Sequence, residues 1–453
     1  MSLSMLLMPL ALAQDPPQVQ EEGFVLGSYG RAQAAGDLQG GAGQPVQITA
    51  FGPRLEADPY AEIDLGWFRS FDDGASFRVL ITPALSGAPF HYDGQWDADL
   101  ALRNLYGMAT LQAPADTEVS FWAGSRMYRG DDLYLLNFWP LDMLNTIGGG
   151  AEVNRGPLQV RLHGGVNRLV GEDYQVQSWS LPTPGGVESQ DVLVLDRQRR
   201  ILSARVGYQL PISERLTLQG RLYGEHHHLP EGTRIVDNEF TEDLPADGGV
   251  VVGAQLSAWG WAPDSFVHLW LRHATGLAAY GELSIPTEGL APDYSVSAAQ
   301  SSLIAAGANH RIDRVSVALG GYARAFQDAD GQVQDVDDGW EMALVARPTI
   351  HVSEHVGLGL EASHQVLRPN GVNPRTDTVD VPQVTKLSVF PQITPTPGTF
   401  SRPMIYGIYS YSRLNSDAQD WYDPMDSRAQ GMHRHYVGVG VEWWMNSQSY
   451  GRQ

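Results

Sequence analysis

Apolar and polar residues alternate with period two in segment after segment of this chain. Between positions 59 and 67, Ala61, Ile63, Leu65 and Trp67 interleave with Tyr60, Glu62, Asp64 and Gly66. Between 214 and 223, Leu216, Leu218 and Leu222 interleave with Thr217, Gln219, Arg221 and Tyr223. Val267, Leu269 and Leu271 stand against His268, Trp270 and Arg272, and Val356, Leu358 and Leu360 against Gly357, Gly359 and Glu361. Successive side chains of a strand point to opposite faces, so each segment predicts a strand with one apolar face and one polar or small face.

Turn signals punctuate the segments at Asp72-Asp73-Gly74, Pro114-Ala115-Asp116, Arg155-Gly156, Pro211-Ile212-Ser213, Ala262-Pro263-Asp264, Asp313, Ser353-Glu354 and Thr396-Pro397-Gly398. Between them lie longer polar stretches near 34–57, 84–100, 128–147, 169–199, 226–248, 274–299, 327–337, 368–383 and 413–433. Long and short connections alternate, and the segments number about eighteen. The pattern predicts an all-β fold: a transmembrane antiparallel β-barrel with long extracellular loops and short periplasmic turns. A β-propeller would repeat blade motifs at ~40 residues, and the chain shows no such repeat. A closed wall of this strand number is expected to leave an aqueous channel rather than a filled core.

Composition agrees with strands and turns: 49 Gly, 12 Trp and 18 Tyr, with 18% charged residues. With 52 acids against 30 Lys plus Arg, the net charge of -22 argues against a nucleic-acid partner and suits neutral or cationic solutes. There is no Cys, which removes disulfides, thiolate metal sites and Cys nucleophiles. Residues 3–10 form an apolar run followed by Ala11-Leu12-Ala13, so 1–13 reads as a signal peptide, although no basic residue precedes it. A linker over 14–23, a barrel domain over 24–446 and a short tail over 447–453 complete the expected organisation. No run of ~20 apolar residues follows that could span a bilayer as a helix. Trp67, Phe68, Trp259, Trp261, Tyr409 and Tyr411 fall near strand ends, where interfacial aromatic girdles belong.

Several segments resemble the maltoporin (LamB-type) family of trimeric, eighteen-stranded sugar porins. Leu26-Gly27-Ser28-Tyr29-Gly30-Arg31 is similar to that family's first strand and Asp58-Pro59-Tyr60-Ala61-Glu62-Ile63-Asp64-Leu65-Gly66 to its second. Phe121-Trp122-Ala123-Gly124-Ser125-Arg126-Met127-Tyr128, followed by Asp132 and Phe138, is the most specific block and leads into the family's inward-folded third loop. Phe400-Ser401-Arg402-Pro403 and Glu442-Trp443-Trp444 also fit.

The resemblance implies an aromatic slide of Tyr29, Tyr60, Phe400 and Trp444, with Trp96 reaching into a neighbouring subunit. It implies a polar track of Arg31, Arg54, Glu62, Arg103 and Asp132, and a constriction at Trp139 and Asp142. Strand phase separates the last two tryptophans: Val437, Val439, Val441, Trp443 and Met445 share an apolar face, and Trp444 falls on the other with Gly438, Gly440 and Glu442. The chain departs from the family pattern where Phe400 replaces Trp, Trp139 replaces Tyr, Gly130 stands for an Arg with Arg129 adjacent, and Asn137 replaces an acid. It also runs on from Asn446 to Gln453 beyond the usual terminal aromatic.

His226-His227-His228 would alternate between faces on a strand and so would not converge on one metal ion. Asp328-Ala329-Asp330-Gly331 lacks the further ligands of a calcium loop. No HExxH, nucleotide-binding glycine loop or Ser-His-Asp order occurs in a fitting context. The strand pattern with the resemblance implies an outer-membrane homotrimeric channel for oligosaccharides of the maltodextrin type, and no catalytic activity, cofactor or metal is expected. The alternatives are a channel for another small solute and a secreted soluble β-rich carbohydrate-binding protein.

Overall fold

Period-two patterning becomes a closed wall because every strand can turn its apolar residues to one side only by pairing in register with its neighbours. The computed structural model describes residues 22–87, 99–169, 174–186, 188–237, 240–281, 284–286, 289–331 and 335–447. The sequence-predicted signal peptide, most of the linker, the end of the tail and Trp96 lie outside the described residues. The first seven strands are β1 (Gly23–Gly36), β2 (Tyr60–Ser70), β3 (Ser76–Ser86), β4 (Asp99–Ala113), β5 (Thr117–Arg129), β6 (Met143–Arg155) and β7 (Leu158–Asn167). A loop hairpin follows, β8 (Val176–Pro182) with β9 (Ser189–Asp196), then β10 (Arg199–Pro211) and β11 (Thr217–Leu229). A second loop hairpin pairs β12 (Gly232–Ile235) with β13 (Thr241–Leu244). The wall continues through β14 (Asp247–Trp259), β15 (Phe266–Gly276), β16 (Gln300–Ile312), β17 (Val315–Gln327), β18 (Gly339–His351) and β19 (Val356–Pro369). It ends with β20 (Gln383–Ile393), β21 (Met404–Leu414) and β22 (His433–Met445).

Leaving out the two loop hairpins, these strands form one 18-stranded antiparallel sheet. The pairing of β1 with β22, Tyr29 opposite Trp444 and Arg31 opposite Glu442, closes it on itself and leaves no edge. Each sequence-predicted short turn joins two wall strands, and each long stretch falls between wall strands at the other rim.

Phe24, Leu26, Ile63, Leu65, Leu202, Leu222, Leu256, Ile304 and Val439 are exposed on the outside. The alternate positions face inward and are mostly polar, small or aromatic. Trp443 lies outward against Gly30, where a Cβ would meet its indole, and donates to Ser28 Oγ at 2.9 Å. Of the aromatics expected in girdles, Tyr409 is exposed on the outer face. Trp259 is a correction: it shares the inward phase of Gln255 and Ser257 and is buried. Among the described residues no helix is long and apolar enough to cross a membrane.

Two features of the wall bear on the interior. In β4 the register slips between Thr82 and Pro83, so that Thr82 faces Asn104 while Pro83 faces Leu102. Arg103 is the extra residue of this β-bulge, and Arg103 and Asn104 both turn inward between the exposed Leu102 and Leu105. In β5, Gly124 holds φ 128°, and a Cβ there would stand 2.2 Å from the Leu105 carbonyl oxygen. Glycine at this position lets β4 and β5 close together beside the bulge.

Among the described residues, buried apolar side chains of the barrel form four clusters. The largest lies where the loop between β5 and β6 folds into the lumen, bringing Leu133, Leu135, Leu136 and Phe138 against Trp270, Ala305, Ala318, Tyr322, Ala343 and Val345 of the facing wall. Gly307 and Gly320 are register partners there, and a Cβ on either would press on Leu133 Cδ1, at 2.9 and 3.1 Å. The missing side chains make the hollow that seats this loop.

Candidate functional site

The loop between β1 and β2 also enters the lumen, held by its backbone. The N–H groups of Ile48, Ala50 and Phe51 donate to Gln365 Oε1, Glu341 Oε2 and Tyr322 Oη at 3.1, 2.8 and 3.1 Å. Phe51 stacks on Phe138 of the β5–β6 loop, with ring centroids 3.8 Å apart, a contact worth about 0.5–1.5 kcal/mol beyond its buried area. Glu56 is ion-paired to Lys386 on β20. The two loops lean on each other across the lumen, and the inward side chains of Tyr29, Arg54, Glu62, Tyr134, Glu361 and Glu442 are buried. The aqueous channel expected from strand number alone is thus narrowed to a constriction.

Arg54 stands at its centre. Its guanidinium donates to Tyr29 Oη at 2.7 Å, pairs with Glu442 and lies 4.1 Å from the ring centroid of Tyr134. Glu442 also accepts from Tyr134 Oη at 2.9 Å and from Arg402 Nε and Nη2 at 2.9 and 2.6 Å. Tyr29 is 5.8 Å from Tyr60, and Tyr134 is 5.2 Å from Phe400 and 6.1 Å from Trp444 by ring centroids. Arg402 lies 4.4 Å over the Trp444 ring.

The sequence-predicted residues fall into place around this hub. Tyr29, Tyr60, Arg31, Arg54, Glu62 and Arg103 form one contiguous group: Tyr60 donates to Glu62 at 2.6 Å, Arg103 donates to Tyr60, and Arg31 lies 5.9 Å from the Tyr60 ring centroid. Phe400 and Trp444 form a second group, joined to the first by Tyr134 and Arg54. Trp444 faces the lumen and Trp443 does not, as strand phase requires.

Asp132 is half-buried on the β5–β6 loop, and Trp139 lies beneath Arg129 at 3.9 Å. Asp142 pairs with Arg205, away from the hub. Asn137, which replaces an acid of the family pattern, takes a left-handed conformation with φ 50° and closes the loop's short 3-10 turn.

Tyr134 and Arg402 were not singled out from sequence. The available signal for Tyr134 was a polar-tipped ring inside the otherwise apolar Leu133–Leu136 run of a connection that ought to be polar. His227 turns inward and is fully buried while His226 is exposed, so the three histidines do diverge. Asp328, Asp330 and Asp335 bring carboxylate oxygens within 4.8 Å of one another around the Gly331 turn. Burial and the neighbouring Asp330, Asp338 and Asp335 push the Asp328 carboxyl up to about 6.

The family described as LamB porin matches residues 24–444. This chain belongs to the LamB porin family. A LamB porin with a closed lipid-facing barrel is an outer-membrane protein of Gram-negative bacteria. No curated protein matches it. Among solved structures it is similar to OccAB1 of Acinetobacter baumannii, with 10% identity, 94% and 97% of the two chains covered and a TM-score of 0.46. It is also similar to OccK1 of Pseudomonas aeruginosa, with 12% identity, 94% and 99% covered and a TM-score of 0.43. The trimer form of OmpT from Vibrio cholerae shows 11% identity, 94% and 100% covered and a TM-score of 0.38.

Two adjacent loop acids of this porin are held in different states. Burial would raise Asp131, but Arg221, His268 and the Gln255 amide outweigh it and hold the carboxyl well below the ordinary range. Burial pushes Asp132 up to about 6, against the pull of Arg54 and with the push of Asp131. As pH falls through 6, Asp132 therefore takes up a proton while Asp131 stays ionised, and the constriction loses one negative charge. The reversal potential in a salt gradient is expected to shift toward anion preference between pH 7.5 and 5, and Asp132→Asn to reduce that shift, leaving the part that Asp328 on the β17–β18 loop contributes. A shift of the same size in the variant would assign the titration elsewhere.

Proposed function

We propose that this porin carries sugars of the maltodextrin type by facilitated diffusion, past Tyr60, Tyr29, Tyr134, Trp444 and Phe400. The observation that supports this most is the run of five rings, Tyr60 beside Tyr29 and Phe400 and Trp444 beside Tyr134, linked through Arg54, with carboxylates and arginines at their edges. A pyranose presents apolar faces to rings and a rim of hydroxyls to charged hydrogen-bonding groups. The charged groups here already bond to one another, so a sugar hydroxyl can exchange one partner for another as it passes. Weak binding at successive positions permits exit as well as entry. A homotrimer, with Trp96 of one subunit reaching its neighbour, belongs to the same proposal.

Swelling of liposomes carrying the purified protein tests this. Maltose and maltotriose are expected to enter faster than polyols of matched size, with rates that saturate in sugar concentration. Rates that follow solute size alone would overturn the sugar reading while leaving the porin fold untouched.

A further inference from the structure

One sector of the inner wall, outside the aromatic path, carries more cations than the acids beside it can match. Arg126 on β5, Arg161 on β7, Arg205 on β10 and Arg221 on β11 all face inward and are buried. Asp142 pairs with Arg205 and Asp131 with Arg221, the latter at 2.6 Å. Arg126 and Arg161 share the single Glu152, at 2.8 and 3.5 Å. Glu225 on β11, bonded to Tyr223 and His227, lies in the same sector beside Arg272 of β15, so five guanidiniums face four carboxylates.

The surplus is localised. Arg161 and Arg205 are register partners across β7 and β10, like charges directly opposite each other, an arrangement that disfavours the sheet unless something negative lies between. Arg161 is 5% exposed; its Nε faces Glu152 Oε2 at 3.5 Å without forming a hydrogen bond, and its Nη1 has no acceptor. Three more buried donors among these residues lack hydrogen-bond partners, Arg221 Nε, Trp122 Nε1 and Tyr128 Oη, against one lone acceptor, Asp142 Oδ1. Trp122, Tyr128 and His163 stack beside the arginines, with centroids 5.4–6.0 Å apart. None of this follows from the net charge of -22, which opposes an anion.

We propose that Arg161, flanked by Arg126 and Arg205, binds a carboxylate on the permeating solute, and that the porin's substrates include sugar acids of the hexuronate class. An excess of one positive charge matches a monoanion, and Arg is suited to carboxylate recognition. The unpartnered donors Trp122 Nε1 and Tyr128 Oη suit the ring hydroxyls of the same molecule. The inference rests on the porin reading of the chain but not on its preference for neutral sugars.

The test is uptake of radiolabelled glucuronate and glucose into proteoliposomes of the full chain at low ionic strength. Wild type is expected to pass glucuronate several-fold faster than glucose. Arg161→Gln is expected to lower the glucuronate-to-glucose ratio about tenfold with glucose uptake unchanged, and Arg161→Lys to restore part of it. A wild-type ratio at or below one overturns the proposal, as does a ratio unchanged in Arg161→Gln. Should Arg161→Gln fail to insert, block of wild-type ion current by glucuronate decides: saturable block supports the site and its absence overturns it. Maltodextrins that give no block while glucuronate is preferred would remove the neutral-sugar reading and leave this one standing.

Discussion

Glu442→Ala is expected to raise the single-channel conductance several-fold while the barrel itself remains folded. Glu442 is buried and is the common acceptor for Arg54, Arg402 and Tyr134. Removing it leaves two buried guanidiniums without their carboxylate, and breaking a buried pair by deleting one partner costs about 3–5 kcal/mol. That loss falls on attachments rather than on the wall. Arg54 belongs to the β1–β2 loop and Arg402 to the β20–β21 turn, while Glu442 keeps its backbone pairing with Arg31 and Met404. The loop is therefore expected to leave the constriction without opening the sheet. Glu442→Gln keeps one acceptor oxygen and is expected to fall between wild type and Ala. Planar-bilayer recordings give the conductance, and heat-resistant migration of the folded barrel on a gel reports the wall. Unchanged conductance in the Ala variant would show that Arg54 and Arg402 hold their places without Glu442.

Tyr134→Ala is expected to weaken maltodextrin binding by at least tenfold, equivalent to about 1.4 kcal/mol, and to widen the passage as well. Tyr134 is the ring that lies against Arg54, which holds Tyr29, and also against Phe400 and Trp444. Without its ring the aromatic path is broken in the middle. Tyr134→Phe separates ring from hydroxyl: it keeps both ring contacts and loses only the bonds to Glu442 and Arg402, so it is expected to bind sugar much closer to wild type. Affinities from sugar-dependent current block check both variants. Equal losses in Ala and Phe would assign the effect to the hydroxyl network instead of the ring.

Much of the wall was legible because period two is a local property. The placement of Trp444 inside and Trp443 outside needs only strand phase, and turns such as Asp72-Asp73-Gly74 announce themselves by residue type. Features set by partners distant in sequence were not legible. Arg103 and Asn104 share a face only because β3 and β4 slip by one residue at Thr82, which no pattern within β4 reveals. The seat of Leu133 depends on two glycines, Gly307 and Gly320, that become neighbours only after β16 and β17 pair. Trp259 reads as a girdle residue by its position near a strand end, yet phase with Gln255 and Ser257 turns it inward. The aromatic and charged residues of the constriction are named largely through family resemblance, and Tyr134 and Arg402, which complete it around Arg54, are visible only with the loops in place.

The central claim is that sugars pass in contact with a continuous aromatic path. Ion current through single wild-type channels, titrated with maltose and then with progressively longer maltodextrins, tests it most directly. Saturable block is expected, with an affinity that rises with chain length until the sugar spans from Tyr60 to Phe400 and then levels off. Current that is unaffected by any of these sugars at any concentration would contradict it.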